Sequence, residues 1–324
     1  MNRIFTLYGV LLMLVLGTSC NHKELCYDHD PHSERVEYLL ELDFDCEWEY
    51  NIESNIDWEQ QWKTEYGISY DDIRPKEPEG VRVHIFNEDN QTETVRNLTK
   101  QNATIRFSQE GHYDMLFYNN DTEYIVFEGL ESFNTASATT RGSSRSRVVN
   151  TPDMLFGAYV DSVHVQKSTQ TNTMKVTLKP LVYTYLVRCE FAERADEIAS
   201  ATGALTGVAC KVNLSNGRTT PDEGTISYDC TVGDFGVQAL VRSFGIPDYP
   251  NPNYSRSERK YEAYLEVRLK DGTNKQFKFD ITEQMVKQPH GGVILIEGIK
   301  MNDSGGGFNV GVNGWGEVVE VPLN

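Results

Sequence analysis

The sequence predicts an all-β protein made of two β-sandwich domains. Apolar and polar residues alternate through most of the chain, which is typical of half-buried antiparallel strands. About fifteen such stretches follow one another, separated by turn residues, at the spacing seen in β-sandwiches. Helical periodicity occurs in one place only. A length of 324 residues also fits two domains.

The first predicted strand, residues 36–48, shows the clearest alternation. Every even-numbered residue from Val36 to Trp48 is apolar, and the residues between them are acidic except for Leu39. One face of this strand is therefore expected to be buried. The later predicted strands are 81–86, 104–107, 113–118, 124–127, 158–165, 174–178, 181–191, 208–214, 225–232, 237–244, 261–269, 276–281, 293–299 and 308–321.

One short amphipathic helix is predicted between the first two strands. Trp58, Trp62 and Tyr66 recur at every fourth position, Asp57 can cap the start, and Gly67 can end the helix. Such a stripe usually packs on a core. Stacking of a ligand on the three rings is the alternative interpretation.

A change in composition predicts the domain boundary. Residues 134–147 are Ser, Thr, Gly, Arg and Asn with alanine as the sole apolar type, which favours a flexible connector open to proteases. We therefore expect an N-terminal domain at 35–133 and a C-terminal domain at 148–324. A proline-broken loop is expected at 247–259 and a glycine-rich turn at 303–307.

Residues 1–19 have the features of a secretory signal peptide. Arg3 precedes a 13-residue, mostly apolar run at 4–16, which is shorter than the roughly 20 residues that span a bilayer. Small residues then precede Cys20, as in a bacterial lipobox, although Gly17 stands where leucine is usual. We expect cleavage before Cys20, acylation of its thiol, and a lipidated tether at 20–34. The alternative is an ordinary signal peptide, with Cys20 in a disulfide.

The charge of the chain excludes nucleic acid as a partner. The net charge is −18, and loss of residues 1–19 removes Arg3 alone and leaves −19. Nucleic-acid binding requires a basic face. Acylation of Cys20 leaves five cysteines, an odd number that cannot pair fully. Because the cysteines at 189, 210 and 230 fall on the apolar sides of their strands, we expect mostly buried thiols.

No catalytic, cofactor or metal site is predicted. Cys26, His29 and His32, with His22 nearby, could ligate zinc, but their spacing matches no standard zinc site. No G-x-S-x-G motif is present, and the four remaining histidines, each on or beside a predicted strand, are isolated in the sequence, although a catalytic set could still converge in space: His84, His112, His164 and His290. Acidic pairs lie among turn residues. We therefore expect a protein that is not an enzyme.

Short motifs in a fixed order cover nearly all of residues 20–324. They are Cys26-Tyr-Asp-His29, the strand ending at Trp48, Asp57-Trp-Glu-Gln-Gln-Trp62, Gly67-Ile-Ser-Tyr70, Arg74-Pro75, Glu79-Gly-Val-Arg-Val83, Thr151-Pro-Asp-Met-Leu-Phe-Gly157, Leu178-Lys-Pro-Leu-Val-Tyr183 with Arg188, and Gly307-Phe-Asn-Val-Gly-Val-Asn-Gly-Trp-Gly316. Together they resemble the FimB-type fimbrial anchor group of the Bacteroidales fimbrillin superfamily, in particular its DUF5119 branch.

This resemblance implies two transthyretin-like β-sandwiches in tandem, carried by a lipoprotein displayed on the outer membrane. Subunits of the superfamily form fimbriae, in which a strand from one subunit fills the groove of the next. Stalk subunits lose an N-terminal strand to an arginine-specific protease, whereas anchors keep theirs. Residues 21–34 are polar and unpatterned, so no removable strand precedes Arg35. That favours an anchor.

The leading hypothesis is a lipid-anchored surface subunit of a fimbria, either an anchor or an accessory subunit. Its partners would be outer-membrane lipid, through acylated Cys20, and fimbrillin-like subunits, through strand pairing. Lys23 and Glu24 resemble a surface-export signal, and the weakly specified strand at 308–321 could pair with a partner. The alternative is a surface lipoprotein that binds glycan or a host ligand, because β-sandwiches serve both uses.

Overall fold

The computed structural model describes residues 36–47, 62–88, 93–142, 148–168, 172–251 and 259–301. Within these ranges the chain is nearly all β, with eighteen strands in three sheets, so the predicted fold class is confirmed. The helices are short: α1 (Tyr70–Ile73), α2 (Thr282–Lys287), and 3-10 turns at Thr64–Tyr66 and Ala195–Glu197.

The sequence predicts one helix, whereas the described residues contain two short α-helices and two 3-10 turns, so the predicted number is wrong. Only the end of the predicted helix lies within the described residues, as the 3-10 turn Thr64–Tyr66. Gly67 ends this turn in the left-handed conformation, with φ of 66°, as expected of a C-terminal glycine. Asp57 and Trp58 lie outside the described residues.

Seven strands form the first sandwich: β1 (Val36–Phe44), β2 (Val81–Asn87), β3 (Glu93–Leu98), β4 (Thr104–Phe107), β5 (Gly111–Asn119), β9 (Phe156–Val165) and β10 (Asn172–Pro180). Their order is β3-β2-β5-β9-β10-β1-β4. Only two residue pairs, at Lys179 and Pro180, join β10 to β9. The two halves of the sheet enclose one core, to which Leu40 and Val176 contribute from one half and Ile85 from the other.

The second sandwich contains β11 (Tyr183–Phe191), β12 (Ile198–Ala209), β14 (Glu223–Gly233), β15 (Gly236–Ser243), β16 (Glu262–Leu269), β17 (Asn274–Asp280) and β18 (Gly292–Ile299). Their order is β17-β16-β12-β14-β15-β11-β18, and β8 (Val148–Val149) pairs with β14. Leu205, Val187 and Ile294 lie in its core.

Strand β12 is the main strand that the alternation pattern missed. Its sequence is rich in Ala, Gly, Ser and Thr, and a β-bulge near Ser200 interrupts the period of two. The small residues have a packing reason: a Cβ atom on Gly203 would overlap the ring of Tyr228 on the neighbouring strand. Low hydrophobicity therefore reflects close approach here, not exposure.

A third sheet lies at the junction of the two sandwiches. It has the order β13-β7-β6, formed by β6 (Ile125–Glu128), β7 (Ser137–Thr140) and β13 (Lys211–Asn213). Residues from both sandwiches and from this sheet share one buried cluster, which we call the junction cluster: Phe86, Leu116, Tyr118, Ile125, Phe133, Ala136, Ala138, Leu155, Leu181, Val182, Ala209, Val212, Leu214 and Phe244.

The prediction that residues 134–147 form a flexible connector is therefore wrong for the described residues of this segment. Ser137–Thr140 is the central strand of the third sheet, and Ala136 and Ala138 are fully buried. Alanine fits there because three layers meet closely. The expected boundary also does not coincide with the division between the large sheets, because β9 and β10 follow the connector and complete the first one. Residues 143–147 lie outside the described part.

Substitutions in the former connector test its role in packing. Ala138→Leu should lower the free energy of unfolding by about 1–3 kcal/mol, because the side chain must enter a filled core. Asn134→Leu, at an exposed position of the same segment, should change it by less than about 0.5 kcal/mol. Urea unfolding followed by circular dichroism measures both. Equally small effects of the two substitutions would contradict the burial of Ala138 and support the interpretation of this segment as a linker.

Candidate functional site

The first strand lies between two other strands of the first sandwich, next to the end of the sheet, and we treat it and its two neighbours as the candidate site. β1 pairs antiparallel with β4, from Val36 opposite Phe107. It pairs in parallel with β10, from Tyr38 opposite Asn172 to Phe44 opposite Leu178. Both edges of β1 are thus engaged by strands that come later in the chain.

The buried face of β1 is the one that the sequence predicts. Val36, Leu40 and Leu42 are buried, Tyr38 meets Phe107 edge to face with ring centroids 5.6 Å apart, and the acidic residues point outward. Burial of each aliphatic side chain is worth about 1.5–3 kcal/mol. The three together contribute an amount comparable with the whole stability of a domain, about 5–15 kcal/mol.

Strand β4 depends on β1 for its place in the sheet. Among the described residues, β1 is the one strand with which β4 pairs, and β4 forms the end of the sheet. Ala103 O, just before β4, also accepts a hydrogen bond from Leu40 N at 2.8 Å. Loss of β1 would open a groove beside β10 and leave β4 unpaired.

Residues 62–74, which we call the brace segment, connect the end of β1 to the second sandwich. Arg74 Nη1 donates to Glu47 Oε1 at 2.8 Å and Tyr70 Oη donates to Glu47 Oε2 at 3.2 Å, just after β1. At the other end of the segment, Tyr66 is buried against Leu186 and Val293 on the outer face of the second sandwich. The exposed ion pair adds little, and the buried apolar contact adds more.

A buried arginine fixes the brace segment on that face. Arg188 donates to Glu190 at 2.6 Å and to Gln238 Oε1 at 2.9 Å, and its guanidinium lies 3.4 Å from the ring centroid of Phe235. Gln238 Nε2 in turn donates to Tyr66 O at 2.9 Å. The network satisfies a charge that would otherwise be costly to bury. An arginine within an apolar strand was the signal for it in the sequence.

The predicted aromatic stripe therefore packs on protein where the structure describes it. The rings of Trp62 and Tyr66 meet edge to face at 4.9 Å, and Trp62 Nε1 donates to Ile68 O at 2.7 Å. Packing of these two rings on the second sandwich agrees with the structural interpretation of the stripe. Trp58 lies outside the described residues.

Each end of the described chain lies far from the junction within its own sandwich. β1 starts at Val36 and runs to Phe44, close to residues 181–182 of the junction cluster. β18 starts beside the first residues of β11 at Gly292 and runs to Ile299 in the parallel direction. At about 3.3 Å per residue, each strand covers more than 20 Å from the junction. The first described strand therefore starts in one sandwich and the last described strand ends in the other, and both of these ends are remote from the junction.

The predicted lipidation site and the predicted last strand lie outside the described residues. Cys20, the tether at 20–34 and residues 308–321 are all in this category. In the described part, no helix has the length and apolar character needed to cross a bilayer.

The histidines that are isolated in the sequence make contacts in the fold. His84 is buried and its Nε2 lies 2.7 Å from Tyr118 Oη, while His112 and His164 stack across β5 and β9 with centroids 4.5 Å apart. His290 packs on Tyr183. The fold brings these residues together from distant positions in the sequence, and the contacts are ring packing and one hydrogen bond between side chains.

The cysteines are less buried than expected. Four free thiols lie in the described residues; Cys189 is buried, and Cys46, Cys210 and Cys230 are half-buried. Burial raises the pKa of Cys230 to about 12 and raises that of Cys189 as well. Both thiols are protonated at neutral pH, so neither is an activated nucleophile. The described residues also include one cluster of three acidic side chains, Glu88, Asp114 and Asp161.

Comparison with known proteins assigns the family. The model of a domain of unknown function, DUF5119, matches residues 57–229, more than half of the chain. The chain belongs to the DUF5119 family. The matched range runs from the segment before α1 into β14, so the family unit includes the third sheet and parts of both sandwiches. The resemblance to DUF5119 in the sequence motifs is confirmed.

Three proteins similar to this DUF5119 chain come from Bacteroides ovatus. Fim4B, whose proposed role is fimbrium anchoring subunit, is 23% identical over 296 residues, with 79% of this chain and 89% of Fim4B covered. The crystal structure of a proposed adhesin has a TM-score of 0.56 at 20% identity and covers 88% of this chain and 99% of that one. A second has a TM-score of 0.54 at 13% identity, with 88% and 95% covered. These structures confirm the fold.

Two adjacent leucines test the placement of β1. Leu40 is 2% exposed and Leu39 is 43% exposed, on opposite faces of the strand. Leu40→Ala should lower the free energy of unfolding by about 2–5 kcal/mol through loss of burial and the cavity left behind. Leu39→Ala should change it by less than about 0.5 kcal/mol. Denaturant titration of both variants measures the difference; similar losses would contradict the observed register.

Proposed function

We propose that this protein is a lipid-anchored structural subunit of a fimbria, an anchor or accessory subunit on the cell surface, with no catalytic activity. The relative Fim4B has the proposed role of fimbrium anchoring subunit, and its alignment with this chain covers most of both proteins. The observation that carries the proposal is the position of β1, which fills its own sandwich between β4 and β10.

A filled groove suits a base subunit better than a stalk subunit. A stalk subunit exposes an empty groove after an arginine-specific protease removes its N-terminal strand. Here the groove beside β10 holds β1, and the first arginine after β1 is Arg74, within the brace segment. The brace segment also ties the end of β1 to the second sandwich through Glu47 and Tyr66. Only about 15 residues separate Val36 from Cys20, so a lipid on Cys20 would hold the first sandwich near the membrane.

The second sandwich would then face away from the tether and offer the site for the next subunit. The chain leaves β18 at the end of that sandwich remote from the junction, and the predicted strand at 308–321 follows. Partners would be outer-membrane lipid at Cys20 and fimbrillin-like subunits at this end. Main-chain hydrogen bonds give such a strand pairing its affinity, and alternate side chains give specificity.

Binding of a glycan or host ligand remains the alternative function, and the exposed aromatic residues do not favour it. The exposed tyrosines of the described part are Tyr124, Tyr159 and Tyr264. Tyr159 lies on β9 of the first sandwich and Tyr264 on β16 of the second, whereas a glycan platform needs its rings on one surface.

The tether is tested by removing the acylated thiol. Cys20→Ala should abolish incorporation of labelled palmitate and release the protein from the membrane fraction, because no other acyl chain would hold it. Cys26→Ala is the matched control and should remain labelled and membrane-bound. Protease treatment of intact cells should degrade the wild-type protein. Continued labelling of Cys20→Ala would refute lipidation at this residue.

The predicted last strand is tested on its two faces. Val310 and Val312 lie on the apolar face of the predicted strand 308–321, and this face would enter the partner's pockets. Val310→Asp with Val312→Asp places two charges on it and should abolish co-purification with fimbrial subunits. Asn309→Asp with Asn313→Asp, on the other face, should leave co-purification nearly unchanged. Deletion of 308–324 removes none of the described residues and should give the loss without unfolding.

A knockout separates the two functions. If the gene is removed and fimbriae remain normal while binding to a specific polysaccharide is lost, the fimbrial proposal is wrong and the ligand-binding alternative is correct. Loss or detachment of fimbriae, with polysaccharide binding unchanged, is the result expected for an anchor.

A further inference from the structure

The outer edge of β18 is covered by two glutamine side chains. Gln284 Oε1 accepts a hydrogen bond from Leu295 N at 2.8 Å, and its Nε2 donates to Leu295 O at 2.9 Å. Gln288 repeats the arrangement on Val293, with 2.8 Å to the N–H and 3.1 Å to the carbonyl. Each side-chain amide therefore satisfies both backbone groups of one residue, as a neighbouring strand would.

The spacing of the two glutamines matches the strand that they cover. Val293 and Leu295 are alternate residues, and alternate residues direct their backbone groups to the same edge, about 6.6 Å apart. Gln284 and Gln288 lie one helical turn apart, at α2 and its C-terminal cap, with a rise of about 6 Å. One short helix can thus present two amides in register with the strand edge.

β18 is an edge that needs such cover. Its sequence, GVILIEGI, is apolar except for Glu297, and among the described strands β18 ends the sheet on the side opposite β17. An apolar strand with little charge and with free backbone groups pairs readily with another chain. β17 differs, because it carries Lys275 and Lys278, and lysine on an edge strand opposes such pairing.

We propose that Gln284 and Gln288 close the β18 edge against strand addition by a second copy of this chain. The edge at Val293 and Leu295 is thereby removed from the surfaces that can pair with another chain, and the purified protein stays monomeric. This inference does not depend on the fimbrial function, because it concerns the purified chain alone.

The test is the association state of the full chain in detergent solution, with both glutamines replaced. Gln284→Ala with Gln288→Ala should convert a monomer into a dimer or larger species as concentration rises, measured by light scattering. Alanine favours helix, so α2 itself is not weakened. At low concentration the amides of Val293 and Leu295 should exchange hydrogen about tenfold faster than in the wild type.

Two further variants make the outcome decisive. Gln284→Glu with Gln288→Glu breaks the same bonds to the carbonyls but leaves negative charges on the edge, and it should stay monomeric. Glu283→Ala with Lys287→Ala removes an exposed ion pair of 2.6 Å from the same helix and should behave as the wild type. A monomeric alanine pair, or association of the glutamate pair as well, would overturn the proposal.

Discussion

The structure depends on the pairing of the first strand with strands far along the chain. β1 lies between β4 and β10, and the parallel ladder to β10 joins Leu40 to Met174 across more than a hundred residues. Parallel pairing of this kind requires a long connection, and here that connection contains most of the first sandwich and all of β6 to β8. The first sandwich can therefore close only after residues 172–180 are in place.

This constraint explains why the two sandwiches are not independent units. β9 and β10 must return to the first sheet after the chain has contributed β7 to the junction, so the third sheet is held between the two. The brace segment adds a second connection, from Glu47 to the outer face of the second sandwich near Leu186. The two sandwiches are therefore joined by buried contacts at two places, the junction cluster and the outer face near Leu186.

Several polar side chains of this protein satisfy backbone groups at the face or edge of a sheet, as a neighbouring strand would, or hold a side chain that does so. Gln238 holds the backbone of the brace segment, Arg188 holds Gln238, and Gln284 and Gln288 occupy the edge of β18. Each lies at a place where a sheet face or edge would otherwise expose unpaired groups.

The sequence by itself determined the fold class, the buried face of β1 and the family, because period-two alternation and ordered motifs are local properties. Val36, Leu40 and Leu42 were correctly predicted as one buried face. Only the tertiary structure decided that the small residues around Ala138 are core and that β9 and β10 belong to the first sandwich. Small, weakly apolar residues suit both exposed linkers and tightly packed junctions, and strand partners are chosen by long-range contacts that no local pattern records.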